Sequence, residues 1–223
     1  MAIATKKQPP KQSVVPDKLH KSSGSAVSAV QDFNVELDPE GTNVWFVAIL
    51  SHQKYTTDCC RFIENAFHNQ DCRCYVPSKE EVHRYPNRTK RKVRKFVIPR
   101  MIFVTGLNEE QAYNFIPLWP HVDMFLPDRA KNRTHGHVAL AQIAQKELVR
   151  LQAAIQGVAS ADDVSFTTEN LTLEDKIEVV NGNLKGFFGN YYHDEGKDYL
   201  VFALGRLGNI KVKVSLEDCA LLK

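Results

Sequence analysis

Lys176-Ile177-Glu178-Val179-Val180-Asn181-Gly182-Asn183-Leu184-Lys185-Gly186-Phe187-Phe188-Gly189-Asn190-Tyr191-Tyr192 is the stretch whose reading decides the fold. An apolar strand runs into a turn at Asn181-Gly182, Leu184-Lys185-Gly186 follows, and an aromatic strand then begins. Gly186 supplies a backbone conformation that other residues resist. Outward from this stretch, Tyr199–Leu204 and Ile210–Val214 are further strand-like runs, closed by Leu221. Turn residues separate them at Asp194-Glu195-Gly196 and from Gly205 to Asn209. Five short strands in about fifty residues predict a small β-barrel over 171–223.

Upstream, residues 157–170 are polar and without periodicity, and they read as a linker. Before it lies a region of different character, 43–156. Val44 to Leu50 is a continuous apolar run, as expected of a central strand covered on both faces. Tyr55, Cys59, Phe62, Ile63, Ala66 and Phe67 recur at spacings of three and four, the mark of an amphipathic helix. Cys72 to Val76 is a second strand, stopped by Pro77, and Ile98 to Val104 is a further core strand. Glu109 to Leu118 predicts a second helix, and Val122 to Leu126 a short strand. Val138 to Gln156 predicts a long helix, striped by Leu140, Ile143, Ala144, Leu148, Leu151 and Ile155. The order β-α-β-β-β-α-β-α implies an α+β domain, an antiparallel sheet with flanking helices. Residues 1–41 carry Pro9, Pro10 and Pro16 and a serine-rich stretch and read as a disordered, solvated tail.

Between the second strand and Ile98 are two arms around a turn at Pro86-Asn87-Arg88. The net charge of the 223 residues is only +3, yet Val82 to Arg100 holds eight Lys or Arg and no Asp or Glu. A local excess of this kind builds a potential over one face. Arg84, Arg88, Lys90, Arg91, Lys92, Arg94 and Lys95 are candidates for neutralising phosphates, with salt-dependent binding as the consequence. Tyr85 is a candidate for stacking on an unpaired base. The bland alternative is a solvated charged loop.

Cys59, Cys60, Cys72, Cys74 and Cys219 fit no zinc-ribbon spacing and read as free thiols. His121, His135 and His137 lack a third ligand at a suitable spacing, so no metal site is expected. No GxSxG, phosphate loop or paired-carboxylate frame occurs, so neither an enzyme nor a cofactor is expected. With no apolar run long enough to span a bilayer and no secretory h-region, a cytoplasmic protein without membrane contact is expected.

The C-terminal stretch has the pattern of a KOW motif, with Gly182, Leu184, Lys185, Gly186 and Gly189 as its marks, and the barrel is SH3-like. An unrelated SH3-like barrel is the alternative. The upstream order is Trp45-Phe46-Val47, a helix, Tyr75-Val76-Pro77, a basic hairpin, then Pro99-Arg100-Met101-Ile102-Phe103-Val104. This resembles the N-terminal domain of the NusG family of transcription elongation factors, which is likewise followed by a KOW domain. The resemblance covers about Asn43 to Lys223. It implies binding to the clamp helices of RNA polymerase, with Trp45, Ile49, Ile98, Pro99, Met101 and Phe103 lining or supporting an apolar surface. Burial in a plain core suits Trp45 and Phe103 equally well. Arg100 stands where the family has a small residue, and Ile98 where it has an aromatic one. The hairpin would meet upstream or non-template DNA, and Ser51, His52, Gln53, Lys54 and Arg61 are further candidates for base contacts. Divergence from the general pattern is similar to the specialised UpxY and RfaH branch, which implies operon-specific antitermination at a surface polysaccharide locus. The ribosome or the termination factor Rho would meet the KOW domain. A ribosome- or RNA-binding KOW protein is the alternative reading.

Overall fold

The computed structural model describes residues 36–67, 71–86, 89–115, 121–128, 138–173 and 175–222. The apolar run at its start forms β1 (Val44–Leu50), and its neighbours explain why it is apolar throughout. Trp45, Val47 and Ile49 point to one face of the sheet, and Phe46, Ala48 and Leu50 to the other. β1 is flanked by β5 (Met101–Thr105) on one side and by β6 (Val122–Phe125) and β7 (Gln142–Ala144) on the other. β2 (Arg73–Tyr75) extends the sheet beyond β5, and every pairing is antiparallel.

The second face is closed by α1 (Thr56–Ala66), whose Cys59, Cys60 and Ile63 join Phe46, Leu50, Cys74 and Ile102 in one core. Ala112 of α2 (Glu109–Phe115) enters the same cluster. The first face shares its core with α3 (Gln145–Gly157), through Leu148, Leu151, Ala154 and Ile155. Helix α3 begins later than the periodicity suggests. Leu140 and Ile143, three apart, satisfy a helical stripe, but they lie in different cores on opposite faces of the sheet. The segment is extended there as β7, and the helix starts only where the Glu147 carboxylate accepts the Ala144 N–H at 3.3 Å.

β3 (Ser78–Arg84) and β4 (Lys90–Phe96) pair only with each other, as a two-stranded antiparallel ribbon of seven residue pairs. The expected tail reaches too far at its end. Leu37 is buried, its N–H donates to Gln152 Oε1 at 3.2 Å, and Gln145 Nε2 donates to the Asp38 carbonyl at 2.7 Å. The rest of that segment, through residue 35, lies outside the described residues.

The C-terminal part is a six-stranded antiparallel sheet in the order β13-β9-β10-β11-β12-β8. Its strands are β8 (Val164–Thr167), β9 (Lys176–Val179), β10 (Phe188–Asp194), β11 (Lys197–Leu204), β12 (Gly208–Lys213) and β13 (Cys219–Leu221). Two expectations change here. Hydrogen-bonded pairing does not close a barrel: among the described residues β8 and β13 end the sheet. The expected linker also contributes a strand, because Val164 and Phe166 alternate with Ser165 and Thr167 and pair with Val212 and Ile210. A 3-10 turn, Ala161–Asp163, precedes it. Ile177, Val179, Leu200, Phe202, Leu204, Ile210 and Val212 share a single hydrophobic cluster with α3 and with Trp45 and Phe103. No helix among the described residues is long and apolar enough to cross a membrane.

Candidate functional site

The β3–β4 ribbon exists because its arms alternate and its turn carries Pro86, and its register sorts the basic side chains into two groups. Toward the tip, Arg84 pairs with Lys90 and His83 with Arg91. Arg84, Lys90 and Arg91 are exposed, and the Arg91 guanidinium lies 5.7 Å from the centre of the Tyr85 ring. Tyr85 itself is 44% exposed. Arg88 falls outside the described residues.

Toward the stem the cations are engaged. Lys92 Nζ lies 3.4 Å and Arg94 3.6 Å from the Glu80 carboxylate. Lys95 is hydrogen-bonded to Asp162, a contact that raises its pKa, with further Coulombic support from Asp162 and Glu81. Lys79, opposite Lys95, donates instead to the last carbonyls of α3, at 2.9 Å to Ile155 and 3.3 Å to Gln156, and also to Val158. A cation there complements the negative end of the helix. Glu81 accepts the Ala161 N–H at 2.7 Å and the Ser160 hydroxyl at 3.0 Å. The Ala161 bond, before the others, holds its carboxyl below the ordinary range. The stem is thus docked on 155–163, and the tip is left to solvent.

Five of the six residues tied by resemblance to polymerase binding lie together, all but Pro99. Trp45 and Ile49 of β1, Met101 and Phe103 of β5, and Ile98 just before β5 all border one hydrophobic cluster on the same face of the sheet. They do not form one exposed surface. Trp45 and Ile98 are 2% exposed and Phe103 is 0% exposed, in a cluster that also holds α3 and C-terminal residues. Large apolar side chains on a face overlaid by a helix become core, so these three can support an apolar surface from beneath but do not line one. What stays open is the far end of that face. Pro99 is exposed, and Met101, Ile49 and Met124 sit side by side across β5, β1 and β6. Met124, 45% exposed, had no sequence signal, because only the β1–β6 register brings it beside Ile49.

Ser51, His52, Gln53 and Lys54 lead into α1, and Arg61 lies at its middle. His52 Nδ1 accepts the Lys54 N–H at 3.1 Å, and Ser51 donates its N–H to the His121 carbonyl at 2.9 Å. Tyr55 and His121, neither anticipated as functional, stack with ring centres 3.5 Å apart and planes 7° from parallel. Lys54 Nζ lies 4.8 Å from the centre of the Tyr55 ring. Arg61, Asp58, Phe62 and Asn65 line a cleft of ≈ 350 Å³ beside this pair. An aromatic pair edged by cations offers a stacking platform for a flat ring. Tyr55 was legible only as part of an apolar stripe, and nothing in the sequence ties it to His121.

In the C-terminal sheet, the turn between β9 and β10 takes the form its sequence requires. Gly186 has φ 86°, and its N–H donates to the Val179 carbonyl at 2.8 Å. Gly189 approaches β11 so closely that a Cβ would meet the Val201 carbonyl oxygen at 2.5 Å. Leu184 packs against the hydrophobic cluster at Gly157, the last residue of α3, while Gly182 and Lys185 are exposed. Cys59, Cys60, Cys72 and Cys74 are free and share one core. Burial pushes the Cys59 and Cys74 thiols up, and it raises Cys72 to about 12, with Glu64 and Asp71 adding to the effect. No group of His, Cys, Asp and Glu suited to a metal ion occurs among the described residues, and His135 and His137 lie outside them.

No family model matches the chain, and no curated protein matches it. Among solved structures, the chain is similar to the MjSpt4:Spt5 complex. Conformation A has 12% identity, covering 80% of this chain and 98% of that one, with a TM-score of 0.26. Conformation B has 10% identity, covering 80% and 97%, with a TM-score of 0.27. Superposition of that extent decides neither fold nor function.

Proposed function

We propose that this chain is a transcription elongation factor of the NusG type, which holds nucleic acid on the tip of the β3–β4 ribbon while it rides on RNA polymerase. One observation carries the reading: a ribbon outside both larger sheets presents Arg84, Lys90 and Arg91 to solvent beside an exposed Tyr85. Phosphates would meet the three cations, and an unpaired base would stack on the tyrosine, worth about 1–3 kcal/mol. The Tyr55–His121 pair offers a second stacking position. The Met101–Ile49–Met124 row, with Pro99, is the apolar surface left open for polymerase. The finer form of the proposal, antitermination at a surface polysaccharide operon, rests on the sequence resemblance alone.

The test has two arms. Pull-down with core RNA polymerase and a run-through assay at a terminator should show binding and altered pausing or termination. The triple variant Arg84→Ala, Lys90→Ala, Arg91→Ala should keep polymerase but bind DNA more weakly, with a salt slope shallower by about 0.9 per lost phosphate contact. Failure to bind polymerase, or binding without any effect on transcription, sinks the proposal. Co-sedimentation with ribosomes in the absence of polymerase would favour the ribosome-binding alternative instead.

A further inference from the structure

We infer that Glu80 and Asp162 are built-in competitors for the nucleic-acid-binding ribbon, which withhold its stem cations from phosphate. The inference rests on the reading of the ribbon as a nucleic-acid site and concerns its regulation. The basic strand β4 has two populations of cation. Lys90 and Arg91 face solvent toward the tip; Lys92, also exposed, and the more buried Arg94 share the Glu80 carboxylate across the ribbon, and Lys95 is held by Asp162 from outside it. Glu80 is on the partner strand, directly opposite Arg94, so this anion is delivered by register and not by a chance loop conformation. Asp162 belongs to the 3-10 turn that leads into β8, and the turn is pinned to the ribbon a second time, by Glu81 through Ser160 and Ala161.

These carboxylates occupy the positions that phosphate oxygens would take. The Lys92–Glu80 and Lys95–Asp162 pairs are open to solvent and weak, so a polyanion arriving at the tip can displace them, but only by giving up part of its own binding. The ribbon therefore grips in two steps. Tip cations engage first, and the stem joins only when the local phosphate density is high enough to replace Glu80 and Asp162. Displacing Asp162 also removes one of the ties between the ribbon and the segment that enters the C-terminal sheet.

The experiment measures DNA affinity against salt for the full chain and three charge-matched variants: Glu80→Gln, Asp162→Asn and, as a control for net charge, Glu217→Gln, an exposed residue of the C-terminal part. Glu80→Gln and Asp162→Asn should each bind about two- to fivefold more tightly than Glu217→Gln, the range that an exposed ion pair spans. Their salt slopes should steepen, by about 0.9 for each cation released to phosphate. Equal or weaker binding than the control, or an unchanged slope, overturns the inference. Its failure is distinct from failure of the functional reading. If the triple tip variant loses DNA binding while these two behave like the control, only the competitor role is wrong. If the tip variant binds like the unaltered chain, the ribbon is not the site at all.

Discussion

Arg100 occupies a backbone conformation that its own side chain has to justify. Its φ is 63°, in the left-handed region where a Cβ is crowded. The guanidinium offsets part of that cost, since Nε donates to the Leu50 carbonyl at 2.6 Å and an Nη reaches Asp123 at 2.8 Å. The backbone contributes too, because the Leu50 N–H donates to the Arg100 carbonyl at 2.8 Å. These bonds tie the entry of β5 to the ends of β1 and β6, beside the open Met101–Ile49–Met124 row. Glycine would adopt this φ without strain. Replacement by alanine removes the side-chain bonds and keeps the strain, whereas glycine removes both. In urea unfolding, Arg100→Ala should be the less stable of the two variants by about 1 kcal/mol, and both should fall below the unaltered protein. An alanine variant as stable as the glycine variant would mean that the backbone carries no strain there.

At the scale of elements, the ribbon stem and the turn at 160–163 form an electrostatic joint whose acid limb is Glu81. Bonds from the Ala161 N–H and the Ser160 hydroxyl favour its charged form, so its folded pKa lies below the unfolded value. A depressed carboxyl contributes stability that is fully present above the unfolded pKa and is lost as pH falls through the folded one. Glu81→Gln should therefore be less stable than the unaltered chain at neutral pH, and the gap should close on acidification below the ordinary carboxylate range. A gap independent of pH would place the effect in packing and not in charge. This joint was not legible in the sequence. The ribbon itself was, because charge, alternation and Pro86 are local signals. Its docking depends on residues about eighty positions away, and there the polar run 157–170 read as a linker because one turn and a four-residue strand leave only a faint pattern. β1 and α1 were legible for the opposite reason, since a continuous apolar run and a stripe at spacings of three and four are strong signals. The fate of Trp45, Ile98 and Phe103 was not, because burial on a sheet face depends on which helix and which sheet cover it.

At the scale of the whole molecule, residues of both sheets meet in one hydrophobic cluster, where the sequence reads as two domains joined by a linker. The physical bond between the parts is α3. Its Leu148 and Leu151 share a cluster with Trp45 and Phe103, and the same cluster contains Leu200, Phe202 and Val212 of the C-terminal sheet. Arg150 fastens the helix to that sheet. Its guanidinium lies 4.7 Å from the centre of the Phe188 ring and 4.3 Å from that of Phe202, and it also donates to the Phe188 carbonyl. Half-burial of the guanidinium lowers its pKa, so the two rings and the carbonyl replace water that the cation has lost. Arg206, in the turn after β11, reaches Asp128 at 3.6 Å and adds a weaker tie at the edge. A shared core of this kind couples the unfolding of its parts. Hydrogen exchange followed across a denaturant series should show β1 and β11 losing protection together. Arg150→Ala should lower the common unfolding free energy by about 1–3 kcal/mol, the range expected for two partly desolvated cation–π contacts and a lost stem. If β11 opens at a lower denaturant concentration than β1 in the unaltered chain, the sheets are separately stable modules.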